Sequence, residues 1–263
     1  MSVQTQEAAE QSPKSGALRL RWLGQAGFEI TAPGGESCLI DPYLSDWCAR
    51  FSANPRVPPI ALDPAKVRPT VVVTSHWHDD HLDPEAIPII ARSSPQTIFV
   101  GPPSSTVRYR WWGVPDGRVV ALARGEATRV GPFTLAAGFA RHEVPGMLVE
   151  DAISITVEVA GRRIYHSGDT EYDSRIYATR ARGHIDVGLF VINGTGGNMN
   201  LREAAFLAAE LEVGTAIPMH YGMWQPEKYG ANATLDPDEF IRRFEALTGR
   251  PGRVLEHGTA IAL

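Results

Sequence analysis

Three histidines and three aspartates crowd the stretch VVVTSHWHDDHLDP, residues 71–84, directly after a run of apolar and β-branched side chains. Ionisable groups at the end of a buried strand are costly without partners, so the cluster asks for something that satisfies it, and a metal ion does. His76 and His78 are two apart, so an extended chain aims both to one side, where they can grip one ion together. Asp80 and His81 follow after the chain turns, at the start of the next helix, where they can face a second ion. Trp77 and Asp79 are then spacers, with Asp79 facing solvent. The chain holds only eight histidines, so three within six positions after a strand are poorly explained by a polar loop that happens to be histidine-rich. Two ions need more than four ligands. His142, Asp169 and His220 follow the predicted strands FTLAAGFAR, RRIYHSG and TAIPM, and strand ends are where a rigid scaffold presents site residues.

Imidazole and carboxylate without thiolate suit zinc, manganese or iron. Cys38 and Cys48 form neither a disulfide framework nor a C-x-x-C pair, which fits a reducing cytoplasm. Asp41, closing the apolar strand of LIDPYL, is either a plain Asp-Pro turn or the group that orients a ligating imidazole through its other ring nitrogen. His166 and Asn193 sit at comparable strand ends, and Trp224 and Tyr229 after His220 are placed beside the mouth of the pocket. His257 reads as a hairpin residue and His184 as an exposed loop histidine. In RYRWWG, residues 108–113 with the preceding Arg108 included, the aromatic rings read as core and Arg108 and Arg110 as solvated surface.

The elements that must position these residues are announced by turn and cap signals. Residues 1–16 are polar and low in aromatics, and read as a mobile tail. Residues 17–263 show no long linker, repeat or low-complexity run and read as a single domain. LRLRWLG, AGFEIT and SCLIDP predict a β-meander, followed by TVVVTS, a helix after Asp83, and TIFVG. A strand-rich block follows: RVVAL, ATRV, FTLAAGFA, ISITVEV and RRIYHSG. Asn200 and Glu203 form a capping box ahead of LREAAFLAAELE, whose Leu201, Ala204, Ala205 and Ala208 share an apolar face. Asp236, Pro237 and Gly249 delimit a last helix whose buried side carries Phe240, Ile241, Phe244 and Leu247. Two strands, RVLEHG and TAIAL, are expected at the end. The alternation of strand blocks and helices predicts two β-sheets packed face to face with helices outside.

SHWHDDH, YHSGDT and IPMHYG, in this order, resemble the metallo-β-lactamase superfamily, whose fold is a four-layer αββα sandwich. RWLGQAGFEI, LIDPYL, WWGVP, YHSGDTEY and VINGTGGNM are similar to its L-ascorbate-6-phosphate lactonase branch, and the resemblance covers nearly everything after the first sixteen residues. It implies two divalent ions, with His76, His78 and His142 on the first, Asp80, His81 and His220 on the second, and Asp169 bridging. The lactonase likeness tilts toward manganese and the wider superfamily toward zinc.

Such a centre lowers the pKa of bound water and supplies hydroxide as nucleophile against an acyl carbon or phosphorus. Asp80 is the catalytic candidate, orienting that hydroxide as well as binding metal. His166, Tyr221 or a water on the metal could protonate the leaving group. The leading expectation is a metal-dependent hydrolase of a small ester-like substrate, most concretely a lactone. A metal-dependent phosphodiesterase and a metal-binding scaffold protein are the alternatives. Structural zinc sites are closed, with four ligands, whereas seven N/O ligands suit an open pair. Nucleic acid is not an expected partner: 25 basic against 30 acidic residues give a net charge of -5, and no basic cluster stands out. No window has the apolar length to cross a bilayer, so no membrane partner is expected, and a homo-oligomer is admitted.

Overall fold

The computed structural model describes residues 16–144 and 149–263, so the tail expected over residues 1–16 lies, apart from Gly16, outside the described residues. The meander β1 (Arg19–Gly24), β2 (Gly27–Thr31) and β3 (Ser37–Ile40) pairs antiparallel. After the short helix α1 (Trp47–Phe51), β4 (Val71–Val73) joins β3 in parallel. Helix α2 (Ala86–Ser93) crosses over to β5 (Ile98–Gly101), and α3 (Pro103–Trp111) leads to β6 (Val119–Ala121). The second sheet contains β7 (Ala127–Val130), β8 (Phe133–Phe139), β9 (Ile153–Val159) and β10 (Arg162–His166) as an antiparallel run. Strands β11 (Val187–Val191) and β12 (Thr215–Met219) extend it in parallel, with helix α4 (Leu201–Glu210) between them. Helices α5 (Pro226–Tyr229) and α6 (Pro237–Thr248) follow, and β13 (Ala260–Ala262) returns to pair with β1. The sheets are thus β13-β1-β2-β3-β4-β5-β6 and β12-β11-β10-β9-β8-β7.

Strand periodicity sorts the layers. Val71 and Val73 point into the core shared with Leu135, Ile155 and Val157 of the second sheet. Val72, between them, packs with Leu39, Phe99 and Tyr109 against Ile87 and Ile90 of α2. On the far side, Ala204 and Ala208 of α4 and Phe240 and Phe244 of α6 are buried on the second sheet. Helix, sheet, sheet, helix is the αββα order that the sequence led us to expect.

Local signals explain the element ends. The Asn200–Glu203 capping box is formed, Asp236 accepts from the Glu239 N–H, and Gly249 takes the left-handed C-cap at φ 66°. RVLEHG is a correction: it forms no strand, its Arg253 N–H bonding the Ala216 carbonyl of β12 at 2.9 Å beside a single bridge made by the preceding Gly252, before the chain turns at His257. Leu247 is a second, since the apolar stripe of α6 ends one turn early and leaves it 57 % exposed. In RYRWWG, Tyr109 is core as expected, but Trp111 is 75 % exposed. Among the described residues no helix is long and apolar enough to cross a membrane.

Candidate metal centre

Every proposed ligand sits in a loop leaving the same end of one of the two sheets. After β4, the His81 and Leu82 N–H groups both bond back to the His78 carbonyl, a tight turn that folds Asp80 and His81 over His76. This turn precedes α2 rather than starting it, because Pro84 disfavours helical backbone at Asp83. Asp83 instead accepts from the Glu85 and Ala86 N–H groups at 2.9 and 3.0 Å, and from Ser45 Oγ and Leu44 N–H at 2.8 and 2.9 Å. One buried carboxylate therefore ties the histidine turn both to the helix behind it and to the loop after β3. Asp79 does not face solvent freely: it is half-buried and accepts from the Trp47 indole N–H at 2.8 Å.

His76, His78 and His142 converge. His76 Nε2 and His142 Nε2 lie 3.0 and 3.1 Å from His78 Nδ1. Around the second position, His220 Nε2 and His81 Nε2 lie 3.2 and 3.4 Å from Asp169 Oδ2, and 3.7 and 3.9 Å from Asp80 Oδ2. Asp169 Oδ2 is also 3.8 Å from His142 Nε2, so the same oxygen faces both groups. All seven residues proposed from the sequence are brought together.

The tautomers follow from the surrounding bonds. Asp41, fully buried, accepts from Ser75 N–H and Ser75 O–H, each at 2.6 Å, and from His81 Nδ1–H at 2.8 Å. Because the Ser75 hydroxyl hydrogen is committed to Asp41, Ser75 Oγ accepts from His76 Nδ1–H at 2.9 Å. The Gly197 carbonyl accepts from His142 Nδ1–H at 3.0 Å. His76 and His142 therefore turn a lone pair, on Nε2, toward the centre, and His81 points its Nε2 there. Gly197 is required there: its φ is 76°, and a Cβ would meet the Glu143 carbonyl at 2.7 Å.

These donor sets fit a metal. Nitrogens held about 2.0–2.1 Å from one tetrahedral ion lie about 3.3 Å apart, close to the spacing of the three imidazoles. The lone pairs of His76 Nε2 and His142 Nε2 both face His78 Nδ1, an arrangement that a proton on His78 or a cation among the three rings satisfies. His81 Nε2, which faces the second position, is also buried with no hydrogen-bond partner among the described residues.

Electrostatics prepare the ligands for such a charge. Burial lowers His78 to about 4 and His76 well below the ordinary imidazole value, which keeps both rings neutral and able to coordinate. Burial would also lower His81, but the carboxylates of Asp169, Asp80 and Asp41 outweigh it and hold its pKa well above the usual value. Burial would raise Asp169, and His220 and His81 overcome it, leaving its pKa well below the ordinary carboxylate range. Carboxylate charge is therefore concentrated at the second position and imidazole at the first.

The centre opens into a cavity of about 320 Å³ lined by Asn54, Asn193, Thr195, Trp224, Lys228 and Tyr229 among others. Trp224 and Tyr229 thus stand where the sequence placed them. His166 and Tyr221 do not line it. The His166 nitrogens are spent on the Ala26 carbonyl at 2.8 Å and the Gly168 N–H at 3.0 Å, and Tyr221 stacks on Trp22 with centroids 4.9 Å apart. Neither serves as the proton donor. Arg108 is half-buried rather than solvated surface, its guanidinium 4.2 Å from the centroid of the Trp77 ring, whereas Arg110 is exposed as expected and pairs with Asp116. Sequence reasoning missed Asn198, which donates to Asp169 Oδ2 at 2.9 Å, and Gln25, which donates to Asp80 Oδ2 at 2.8 Å. The glycines around each, in LGQAGF and NGTGGNM, marked tight backbone without indicating what the amides would hold.

Comparison with known proteins agrees with this architecture. The chain is 24% identical over 280 residues to the "Probable L-ascorbate-6-phosphate lactonase UlaG" of Salmonella choleraesuis (strain SC-B67), covering 89% of this chain and 76% of that relative. Igni18, a metallo hydrolase from Ignicoccus hospitalis KIN4/I, superposes with a TM-score of 0.74 at 21% identity, over 94% of this chain and 98% of the other. The diiron β-hydroxylase CmlA of Streptomyces venezuelae shares the fold at a TM-score of 0.70 and 16% identity, over 96% of this chain and 55% of its own. The profile of the beta-lactamase superfamily domain matches residues 19–220, a span that runs from β1 to the last of the seven clustered residues. The chain therefore belongs to the metallo-β-lactamase superfamily.

Proposed function

We propose that this chain is a metal-dependent hydrolase of a small ester, most concretely a lactone bearing an anionic group. The observation that carries the reading is the pair of donor clusters joined at Asp169 Oδ2 and opening into one small cavity. His76, His78 and His142 would hold one divalent ion, Asp80, His81 and His220 a second, with Asp169 between them. Zinc and manganese both suit this set, and iron is admitted by the same ligands.

When bound, such ions lower the pKa of coordinated water toward neutrality and polarise an ester carbonyl. The chain's own residues do the rest. Asp80, with one oxygen fixed by Gln25, is placed to orient the attacking oxygen. Asn198 and Asp41 hold Asp169 and His81 against rotation. Lys228 is exposed, lines the cavity and forms no ion pair among the described residues, so a phosphate or carboxylate on the substrate has a cation to meet. A lactone also suits the cavity because its leaving oxygen stays tethered, and no long groove is needed. The name of the lactonase relative supports the same class. Cys38 and Cys48 are buried free thiols, which suits a reducing compartment such as the cytoplasm.

The test is a panel of neutral sugar lactones, lactone phosphates, bis(p-nitrophenyl) phosphate and single-stranded RNA, assayed on the manganese and zinc forms and after chelation. Metal-dependent turnover is expected on lactones, faster on the phosphorylated ones. Robust phosphodiester cleavage without lactone turnover would transfer the chain to the phosphodiesterase reading, and full lactone turnover in metal-free protein would refute the chemistry.

A further inference from the structure

Gln25 is fully buried at the tip of the β1–β2 turn, in a left-handed conformation at φ 49° that side-chain-bearing residues rarely adopt. Its carbonyl explains why the backbone is held there: it accepts from the Trp22 indole N–H at 3.0 Å and from the His220 N–H at 2.9 Å. Those bonds do not use the side chain. The carboxamide instead reaches the centre, where Nε2 donates to Asp80 Oδ2 at 2.8 Å and lies 3.2 Å from His220 Nε2. Its Oε1 accepts from the Tyr229 hydroxyl at 3.4 Å, and that hydroxyl in turn receives the Met223 N–H at 3.0 Å. The orientation of the amide follows, because an ionised carboxylate accepts only and so must face the NH2 end.

The two donor clusters are unequal in this respect. His76 and His142 are held from behind by Ser75 and Gly197, and among the described residues no amide or hydroxyl reaches between the three imidazoles. Asp80 is different. Among the described residues its carboxylate has one hydrogen-bond donor outside the cluster, Gln25, and that bond is made to the oxygen that faces His81 and His220.

We propose that Gln25 is a positioning residue for the second metal position: its N–H fixes Asp80 Oδ2 toward His81 and His220, and thereby sets the affinity of that position alone. The inference rests on the two-ion reading above. A carboxylate oxygen has lone pairs for both a hydrogen bond and an ion, so the bond to Asp80 orients that carboxylate without displacing what it binds. Outer partners of this kind typically change metal affinity about 10- to 100-fold.

The test uses the full chain, stripped and then titrated with zinc or cobalt against a chromophoric chelator, with bound metal counted by mass spectrometry. Gln25→Met keeps the length and removes both donors. Gln25→Asn is one methylene shorter, tolerates the left-handed backbone, and withdraws the amide from Asp80. Both should weaken the ion held by Asp80, His81 and His220 by about 10- to 100-fold and leave the affinity of the other unchanged. The cobalt spectrum should change in the part contributed by one of the two equivalents only. Equal second-site affinity in wild type and both variants overturns the inference, and so does a gain in affinity, which would mean the amide competes with the ion. A wild type that takes up a single ion overturns the two-ion reading and the inference with it.

Discussion

Asp41→Asn isolates the contribution of one buried carboxylate to the centre. Asparagine matches aspartate in shape and tolerates the left-handed backbone at this position, where φ is 43°. The substitution therefore changes hydrogen bonding and charge, with little steric effect. Asp41 accepts three bonds, from Ser75 N–H and Ser75 O–H at 2.6 Å and from His81 Nδ1–H at 2.8 Å. An amide offers one acceptor oxygen, and whichever way it turns, its NH2 end faces at least one of these donors. Losing one such bond to a charged acceptor costs about 1.5–3 kcal/mol. In a protein of this size each kcal/mol moves the melting temperature by about 2–4 °C, so the metal-free variant should melt about 3–12 °C lower. With His81 no longer held, the second ion should bind about 10- to 100-fold more weakly. Calorimetry of the metal-free proteins and competitive metal titration read the two effects. An unchanged melting temperature together with unchanged metal affinity would refute the claim that Asp41 holds Ser75 and His81 in place.

Asp80→Asn should leave the fold intact, since its carboxylate lies at the cavity rather than in the apolar core, yet lose most lactone turnover and weaken the second ion; near-normal turnover would mean that another carboxylate orients the nucleophile. For the metal-free protein, folding stability should fall as the pH drops from about 6.5 toward 4, because the unfolded chain protonates His76 and His78 while burial keeps the folded rings neutral. His81, whose pKa is raised by carboxylates, contributes stability that is already complete below about 6.5, and that of Asp169 is lost only well below the ordinary carboxylate range, so neither opposes the trend in this window. Urea midpoints at about pH 6.5 and about pH 4.5 check it; a higher midpoint at the lower pH would contradict it.

What the sequence revealed was what spacing alone can carry. The H-x-H-x-D-H run is read within one turn of chain, and the caps of α4 and α6 bond only to residues three positions away or to the next turn. The orienting shell was less legible. Asp41 could be offered only as one of two readings, because its partner His81 lies 40 positions on. Gln25 and Gly197 act across separations of 55 residues, which are set by the order of the strands within each sheet. RVLEHG has a strand's composition, yet the backbone partner it needed along β12 extends only to a single bridge. His166 has the right position at a strand end, but its ring is taken by neighbouring backbone, a fact no pattern of residue types records.

The most direct test is an anomalous-scattering map from crystals grown with manganese or zinc, recorded on both sides of the metal's absorption edge. Two peaks are predicted about 3.5–4 Å apart, one among His76, His78 and His142, the other among Asp80, His81 and His220, with Asp169 reaching both. A single fully occupied peak with Asp169 turned away, or peaks outside these residues, would contradict the account.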